Sequence, residues 1–316
     1  MSTPVRVVAF LAALAAVFGV TLVAGRAFGP VEAAPTPAGA PHDTHGTVPS
    51  GDENPAPGAT AAPADLPGGL LVSQDGYTLR LLETELPAGP RTPVQLLIEG
   101  PTGTPVGDYT PQHEKELHLI AVRRDFSGFQ HVHPTRGADG VWSTTLALTP
   151  GSWRVFADMA PTGAGPMTLG ADLFVAGSHV PVAPPAQDVR TATVDGYTVT
   201  LTGDLTPGTD SDLTLAVSRD GRPVTDLDPY LGAYGHLVAL RTGDLAYLHV
   251  HPEGAPGDGM TKPGPEIPFG AAVPSAGTYR LFLDFQHAGV VRTAAFTVTA
   301  GSPAHLPSGG SSDHAH

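Results

Sequence analysis

The 316-residue sequence predicts an all-β protein: two tandem immunoglobulin-like (cupredoxin-like) β-sandwich domains behind an N-terminal membrane segment and a disordered tether. Three observations predict it. Short apolar runs recur between Gly, Pro and Asp clusters, the whole pattern occurs twice, and no stretch beyond the N-terminus has a helical period.

Taken in order, the chain opens with Met1 to Arg6 and then runs from Val7 to Gly25 without a charge. These nineteen residues approach the length that spans a bilayer, whereas the apolar core of a cleaved signal is usually about 7–15 residues. Residues 1–29 therefore read as a signal anchor or signal peptide. Length favours a retained anchor, and the small residues around Val31-Glu32-Ala33 offer a cleavage site. Residues 30–69 are dominated by Pro, Ala, Gly and Thr, cannot bury enough apolar surface to fold, and read as a disordered tether carrying His42 and His45. Residues 301–316 are a similar tail ending Asp313-His314-Ala315-His316. Short His-bearing tracts of this kind can capture metal or simply stay solvated.

Internal repetition divides what remains. Asp75-Gly76-Tyr77-Thr78 returns as Asp195-Gly196-Tyr197-Thr198, and Trp153-Arg154-Val155-Phe156-Ala157-Asp158 returns as Tyr279-Arg280-Leu281-Phe282-Leu283-Asp284. The first repeat is placed at 70–178, a Pro-rich linker at 179–188 and the second repeat at 189–300. Each repeat has about seven strand-like runs. In the first they lie near 77–84, 93–100, 117–123, 129–133, 141–148, 152–158 and 169–176; in the second, near 196–203, 212–218, 236–241, 246–251, 266–273, 277–284 and 291–299.

Composition narrows the function. There is no cysteine, so no disulfide framework, thiolate zinc site or blue-copper site can form. Thirty acidic against 16 basic residues give a formal charge of −14, which disfavours nucleic acid as a partner. Gly-x-Ser-x-Gly, phosphate-cradling Gly loops and His-Glu-x-x-His are all missing, so an enzyme is not expected.

The chemistry rests on 14 histidines. Leu117-His118-Leu119-Ile120-Ala121-Val122-Arg123 is followed by Phe129-Gln130-His131-Val132-His133-Pro134. The same order returns as His236-Leu237-Val238-Ala239-Leu240-Arg241 and Tyr247-Leu248-His249-Val250-His251-Pro252. His118 and His131 are 13 apart, as are His236 and His249. Each pair of runs reads as a β-hairpin; if the turn closes on Arg124-Asp125 or Thr242-Gly243, residues summing to 249 or 485 face each other. His118 is then opposite His131 and His236 opposite His249, about 5 Å apart, with His133 and His251 on the same faces. A slip of one residue would undo this. Three imidazoles per hairpin suit a divalent ion, copper(II) first and zinc(II) second. Asp158 and Asp284, at matching places in the penultimate strands, are further candidate ligands, whereas His113, Met159 and His287 lack a counterpart.

Several segments carry a resemblance: His236-Leu237 with His249-Val250-His251-Pro252, Gly264-Pro265-Glu266, Gly277-Thr278-Tyr279-Arg280 and Val291-Arg292-Thr293-Ala294. They resemble exported bacterial sandwich domains of the YtkA-like type, discussed alongside heavy-metal handling. In general form the repeats are similar also to CopC-type copper-binding sandwiches, although that family's N-terminal His ligand has no matching position. The first repeat departs in having Gly140-Val141-Trp142 where the second has the Gly-Pro-Glu segment. The expectation is an outward-facing or secreted metal-binding protein for buffering, delivery or sensing, with a protein partner in metal transfer. The competing expectation is a non-catalytic structural or interaction module in which the histidines merely pack.

Overall fold

The structure, a computed structural model, describes residues 66–248 and 250–301. The expected membrane segment, most of the tether, the His-bearing tail and His249 lie outside these residues. No helix among the described residues is long and apolar enough to cross a membrane. Among the described residues, both sandwiches fall in one compact unit.

The first repeat contains β1 (Ser73–Gln74), β2 (Tyr77–Leu81), β3 (Glu85–Leu86), β4 (Gly89–Glu99), β5 (Leu117–Arg123), β6 (Gln130–Val132), β7 (Thr135–Arg136), β8 (Trp142–Leu148), β9 (Gly151–Met159) and β10 (Met167–Val175). One sheet has the order β1-β2-β4-β8-β7 and the other β3-β10-β9-β5-β6. The second repeat contains β11 (Thr191–Val194), β12 (Tyr197–Thr202), β13 (Asp210–Arg219), β14 (Arg222–Pro223), β15 (His236–Arg241), β16 (Tyr247–Leu248), β17 (Val250–Pro252), β18 (Glu266–Ala272), β19 (Gly277–His287) and β20 (Val290–Ala300). Its sheets run β11-β12-β13-β18-β17, with β14 on β13, and β16-β15-β19-β20. The tandem all-β sandwich expected from the sequence is what forms.

Each sandwich has its own core because alternate residues of each strand point inward. In the first, Leu117, Leu119 and Ala121 of β5 meet Trp153, Val155 and Ala157 of β9; in the second, Leu237 and Ala239 of β15 meet Tyr279, Leu281 and Leu283 of β19. The opposite faces of these four strands would be polar in an isolated sandwich. Here each carries an apolar patch beside a polar end formed by the pairs His118–Asp158 and His236–Asp284, and a third buried cluster joins the repeats: Ile120, Val122, Phe126 and Phe156 from the first, Val238, Leu240, Leu245, Tyr247 and Phe282 from the second. Two ring contacts cross the junction in matching places. Phe129 stacks on Phe282 (centroids 4.0 Å apart, planes at 6°), and Tyr247 packs against Phe156 at 5.7 Å.

The N-terminal edge of the first sandwich also reaches the second. The Tyr247 amide donates to the Gly68 carbonyl at 2.8 Å, while the Gly69 amide donates to Thr168 at 2.7 Å. Gly69 has φ +72, and a Cβ there would lie 2.4 Å from the Phe156 ring.

The hairpins differ from expectation in register. Across β5 and β6, Leu119 faces Val132 and Ile120 faces His131, so facing residues sum to 251, not 249. The turn does close on Arg124-Asp125, because the Phe126 amide donates to the Arg123 carbonyl. Phe126 (φ 65) and Gly128 (φ 67) then adopt left-handed conformations that lengthen the returning strand. A shift of two keeps every side chain on its face, so His131 and His133 stay on the face of His118. In the second hairpin Ala239 faces Leu248 and Leu240 faces Tyr247, a sum of 487 where 485 is expected, with Leu245 left-handed (φ 61).

Gly128→Ala tests the first turn. It would force a Cβ into left-handed backbone and within 2.7 Å of the Trp153 ring, so a loss of about 1–3 kcal/mol in urea unfolding is expected, against about 0–0.5 for an exposed control such as Glu83→Ala.

Candidate functional site

Six residues of chain order place the first candidate ligand. Gln112 and Lys115 exchange backbone hydrogen bonds around left-handed His113 and Glu114, a tight turn feeding β5. His118, on the face of β5 turned toward the second repeat, is buried. Its Nε2 lies 2.9 Å from the Gln112 carbonyl, which can only accept, so Nε2 carries the proton and Nδ1 is bare. His131 and His133 arrive from the hairpin's returning limb. His131 Nδ1 is 2.8 Å from Asp284 Oδ2 of the second sandwich, a bond between side chains only 4% and 5% exposed. The carboxylate accepts, so in the neutral ring His131 Nε2 is bare.

The two bare nitrogens face each other. His118 Nδ1 and His131 Nε2 are 3.0 Å apart, and His133 Nε2 is 3.2 Å from the same His118 Nδ1. Ligand atoms of all three histidines lie within 4.8 Å of one another. Three nitrogens thus converge with at most one movable proton among them, that of His133. Their ring centroids are separated by 5.2, 4.9 and 4.9 Å. For M–N bonds near 2.05 Å, a tetrahedral arrangement places ligand rings roughly 5.2 Å apart.

Burial favours the neutral forms of His118, His133 and His236, the state a metal ligand needs. Desolvation, opposed by the Gln112 hydrogen bond, lowers His118 to about 4; desolvation with the repulsion of neighbouring imidazoles lowers His133 and His236 to about 3. Tyr230, whose ring lies 6.3 Å from His133 and 5.9 Å from His236, is pushed up to about 12 by burial and by Asp284.

The second triplet is not assembled in the same way. His236 joins the first repeat's cluster: its ring is 6.2 Å from His118, 6.3 Å from His131 and 4.9 Å from His113, with Nε2 on the Leu231 carbonyl at 3.1 Å. His251 goes elsewhere. β17 pairs with β18 of the other sheet, His251 facing Gly270, and the residue is exposed. The expectation that His236 and His251 share a hairpin face is corrected on that ground. His249 lies outside the described residues.

The two aspartates change partners across the junction. Asp158 is the cross-strand neighbour of His118 and Asp284 that of His236. Yet Asp284 bonds His131 of the other repeat, with Thr293 Oγ1 donating to its second oxygen, and Asp158 receives Thr168 at 3.0 Å and the Tyr247 hydroxyl at 3.2 Å. Asp284 stands behind a candidate ligand, not at the convergence point. His113, which sequence alone left without a counterpart, sits in the cluster, whereas Met159 is buried in the first core and His287 binds Tyr197 and Asp226 far from it. Tyr230 and Thr293 carried no sequence signal. A cavity of about 30 Å³, room for one ion or water, is lined by His113, His118, His131, Asp158 and His236. On the other side of the cluster, a 560 Å³ cleft beside Glu116, Arg136 and Trp142 opens onto His133.

Fold and site together define a tandem immunoglobulin-like protein with a histidine cluster at its domain junction. The chain belongs to the family described as Domain of unknown function (DUF8832), whose model matches residues 72–168 and 192–302, one match for each sandwich. No curated protein matches it. Similar solved structures include the Escherichia coli adhesin FdeC (19% identity over 73% of this chain and 65% of that one, TM-score 0.24). The Yersinia pseudotuberculosis adhesin InvE (13%, 72% and 59%, TM-score 0.21) and InvD of the same organism (14%, 72% and 59%, TM-score 0.24) are others. This chain spans less than two thirds of the length of each.

The lowered histidine values set a pH dependence. Between about pH 6.5 and 3 the unfolded chain takes up protons that the folded cluster refuses, so stability is full above 6.5 and lost as pH falls through that window. With chelator present, the urea midpoint should fall from pH 7 to 5, and His236→Gln should flatten that slope; an unchanged slope would contradict the burial of His236.

Proposed function

We propose that this chain is an extracytoplasmic, non-catalytic module of two immunoglobulin-like sandwiches that holds one divalent ion at their junction, with His118, His131 and His133 as ligands. Copper(II) is the first choice and zinc(II) the second, since neutral imidazoles suit both. The observation that carries the reading is the contact between His118 Nδ1 and His131 Nε2 at 3.0 Å. Gln112 and Asp284 draw ring protons to the far sides of the two rings, so in the neutral rings two lone pairs oppose each other, an arrangement that a bound cation relieves. The reading is non-catalytic because the sequence carries no nucleophile or phosphate-binding motif to set beside the histidines, and the cavity behind His118 and His131 has room only for an ion or water. An outward location rests on the uncharged run Val7 to Gly25 and the Pro/Ala-rich tether. Buffering or delivery to a protein partner fits the cleft that opens onto His133.

A second reading is a purely structural or interaction module. It is favoured by the apolar layer between the sandwiches, which docks them without help from the histidines. In that case the cluster packs and hydrogen-bonds only.

Calorimetric titration of copper(II) and zinc(II) into a chain carrying alanine at the tail histidines separates the two. One ion bound tighter than about 1 μM, weakened at least about 100-fold in His118→Ala/His133→Ala, is expected for a three-imidazole site. Equal binding by parent and variant would leave the structural reading standing alone.

A further inference from the structure

We propose that an ion on His118, His131 and His133 locks the two sandwiches together, and that Asp284 is the positioning residue through which ion binding and docking are coupled. The inference rests on the metal-site reading above. All three candidate ligands belong to the first sandwich, but the orientation of one depends on the second. His131 presents Nε2 to the ion only while its proton stays on Nδ1, and Asp284 Oδ2 holds that proton at 2.8 Å. Thr293 Oγ1 fixes the other carboxylate oxygen, so Asp284 is anchored to β19 and β20. When the sandwiches part, His131 loses its carboxylate, and ring orientation and tautomer are no longer set.

A carboxylate behind a ligating imidazole raises metal affinity by about 10–100-fold. Reciprocity then requires the bound ion to favour the docked state by the same factor, because the two routes around the cycle must agree. The apolar layer supplies docking in the absence of the ion. The ion adds to it, and the addition passes through one buried bond. His236 extends the second sandwich's wall around the site, its ring 6.2 Å from His118 and 6.3 Å from His131.

The chain lacks cysteine, which makes the test direct. Glu83→Cys and Lys262→Cys, exposed and on different sandwiches, carry nitroxide labels on the full chain in detergent, with His42, His45, His305, His314 and His316 replaced by alanine. Cobalt(II) visible absorption reports affinity and ligand set; label distances in a urea series, with and without zinc(II), report docking. Asp284→Asn should weaken cobalt(II) about 10–100-fold while the ligand-field bands persist, and the protection of docking by zinc(II) should shrink by a similar factor. Thr293→Val, which keeps the carboxylate but frees it, should shift both in the same direction by less, and decides the matter if Asp284→Asn does not fold. The lock is overturned if folded variants bind cobalt(II) within about threefold of the parent, or if zinc(II) leaves the parent's urea dependence of docking unchanged. Absence of cobalt(II) binding by the parent would overturn the site itself, and the lock with it.

Discussion

The outward faces of β5, β9, β15 and β19 carry apolar patches, and covering these against one another is the constraint on which the rest of the molecule depends. Each fully buried large side chain contributes about 1.5–3 kcal/mol. The nine residues of the layer therefore supply, before entropy, on the order of 10–20 kcal/mol. No comparable gain comes from the histidines beside it. Burial disfavours the charged forms of His118, His133 and His236, and the polar contacts His118–Gln112, His131–Asp284 and His236–Leu231 roughly offset the desolvation of the rings that make them. Docking is thus an apolar effect, and the histidine cluster occupies an interface that would exist without it.

That division gives the cluster its chemistry. A single sandwich would leave His118, His131 and His133 on a wet surface, where each ring could turn and bond water. The second sandwich removes water and supplies a fixed carboxylate, and in doing so sets which nitrogen of His131 is bare. The near-twofold relation of the repeats delivers these contacts in pairs: Phe129 on Phe282 with Tyr247 on Phe156, Asp284 to the first hairpin with Asp158 to the second. It is the logic of a self-complementary dimer interface enclosed within one chain.

Much of this was legible in the residues. Period-2 patterning and the duplicated Asp-Gly-Tyr-Thr and Trp-Arg-Val-Phe segments specify tandem sandwiches. His118, His131 and His133 converge as the hairpin reading expects, although by a register two residues away. The expectation survived because the error was even: Phe126 and Gly128 each add to the returning limb, and two additions restore the face that one would have inverted. Docking of the repeats had no local signal. It brings His236 and Asp284 to the first hairpin from up to 153 positions away in the chain, a partnership that strand alternation cannot encode.

The failure of the second triplet to repeat the first has a backbone origin. The two hairpins are offset by 118 positions, so Val250 corresponds to Val132 and His251 to His133. In the first repeat the chain crosses to the opposite sheet only at Thr135, which pairs with Ser143 after the His-x-His-Pro segment is complete. In the second it crosses by Val250, which already faces Ala271, three positions sooner in equivalent numbering. An identical motif therefore sends its last histidine to different sheets. The side-chain pattern is the same in both repeats, and the strands that receive the limb, β8 and β18, are both seven residues long. What differs is where they receive it: β18 pairs residues 250–252 along Phe269 to Ala271, toward its C-terminal end, whereas β8 pairs Thr135 and Arg136 along Trp142 and Ser143, at its start, so the first limb stays on β5 for longer.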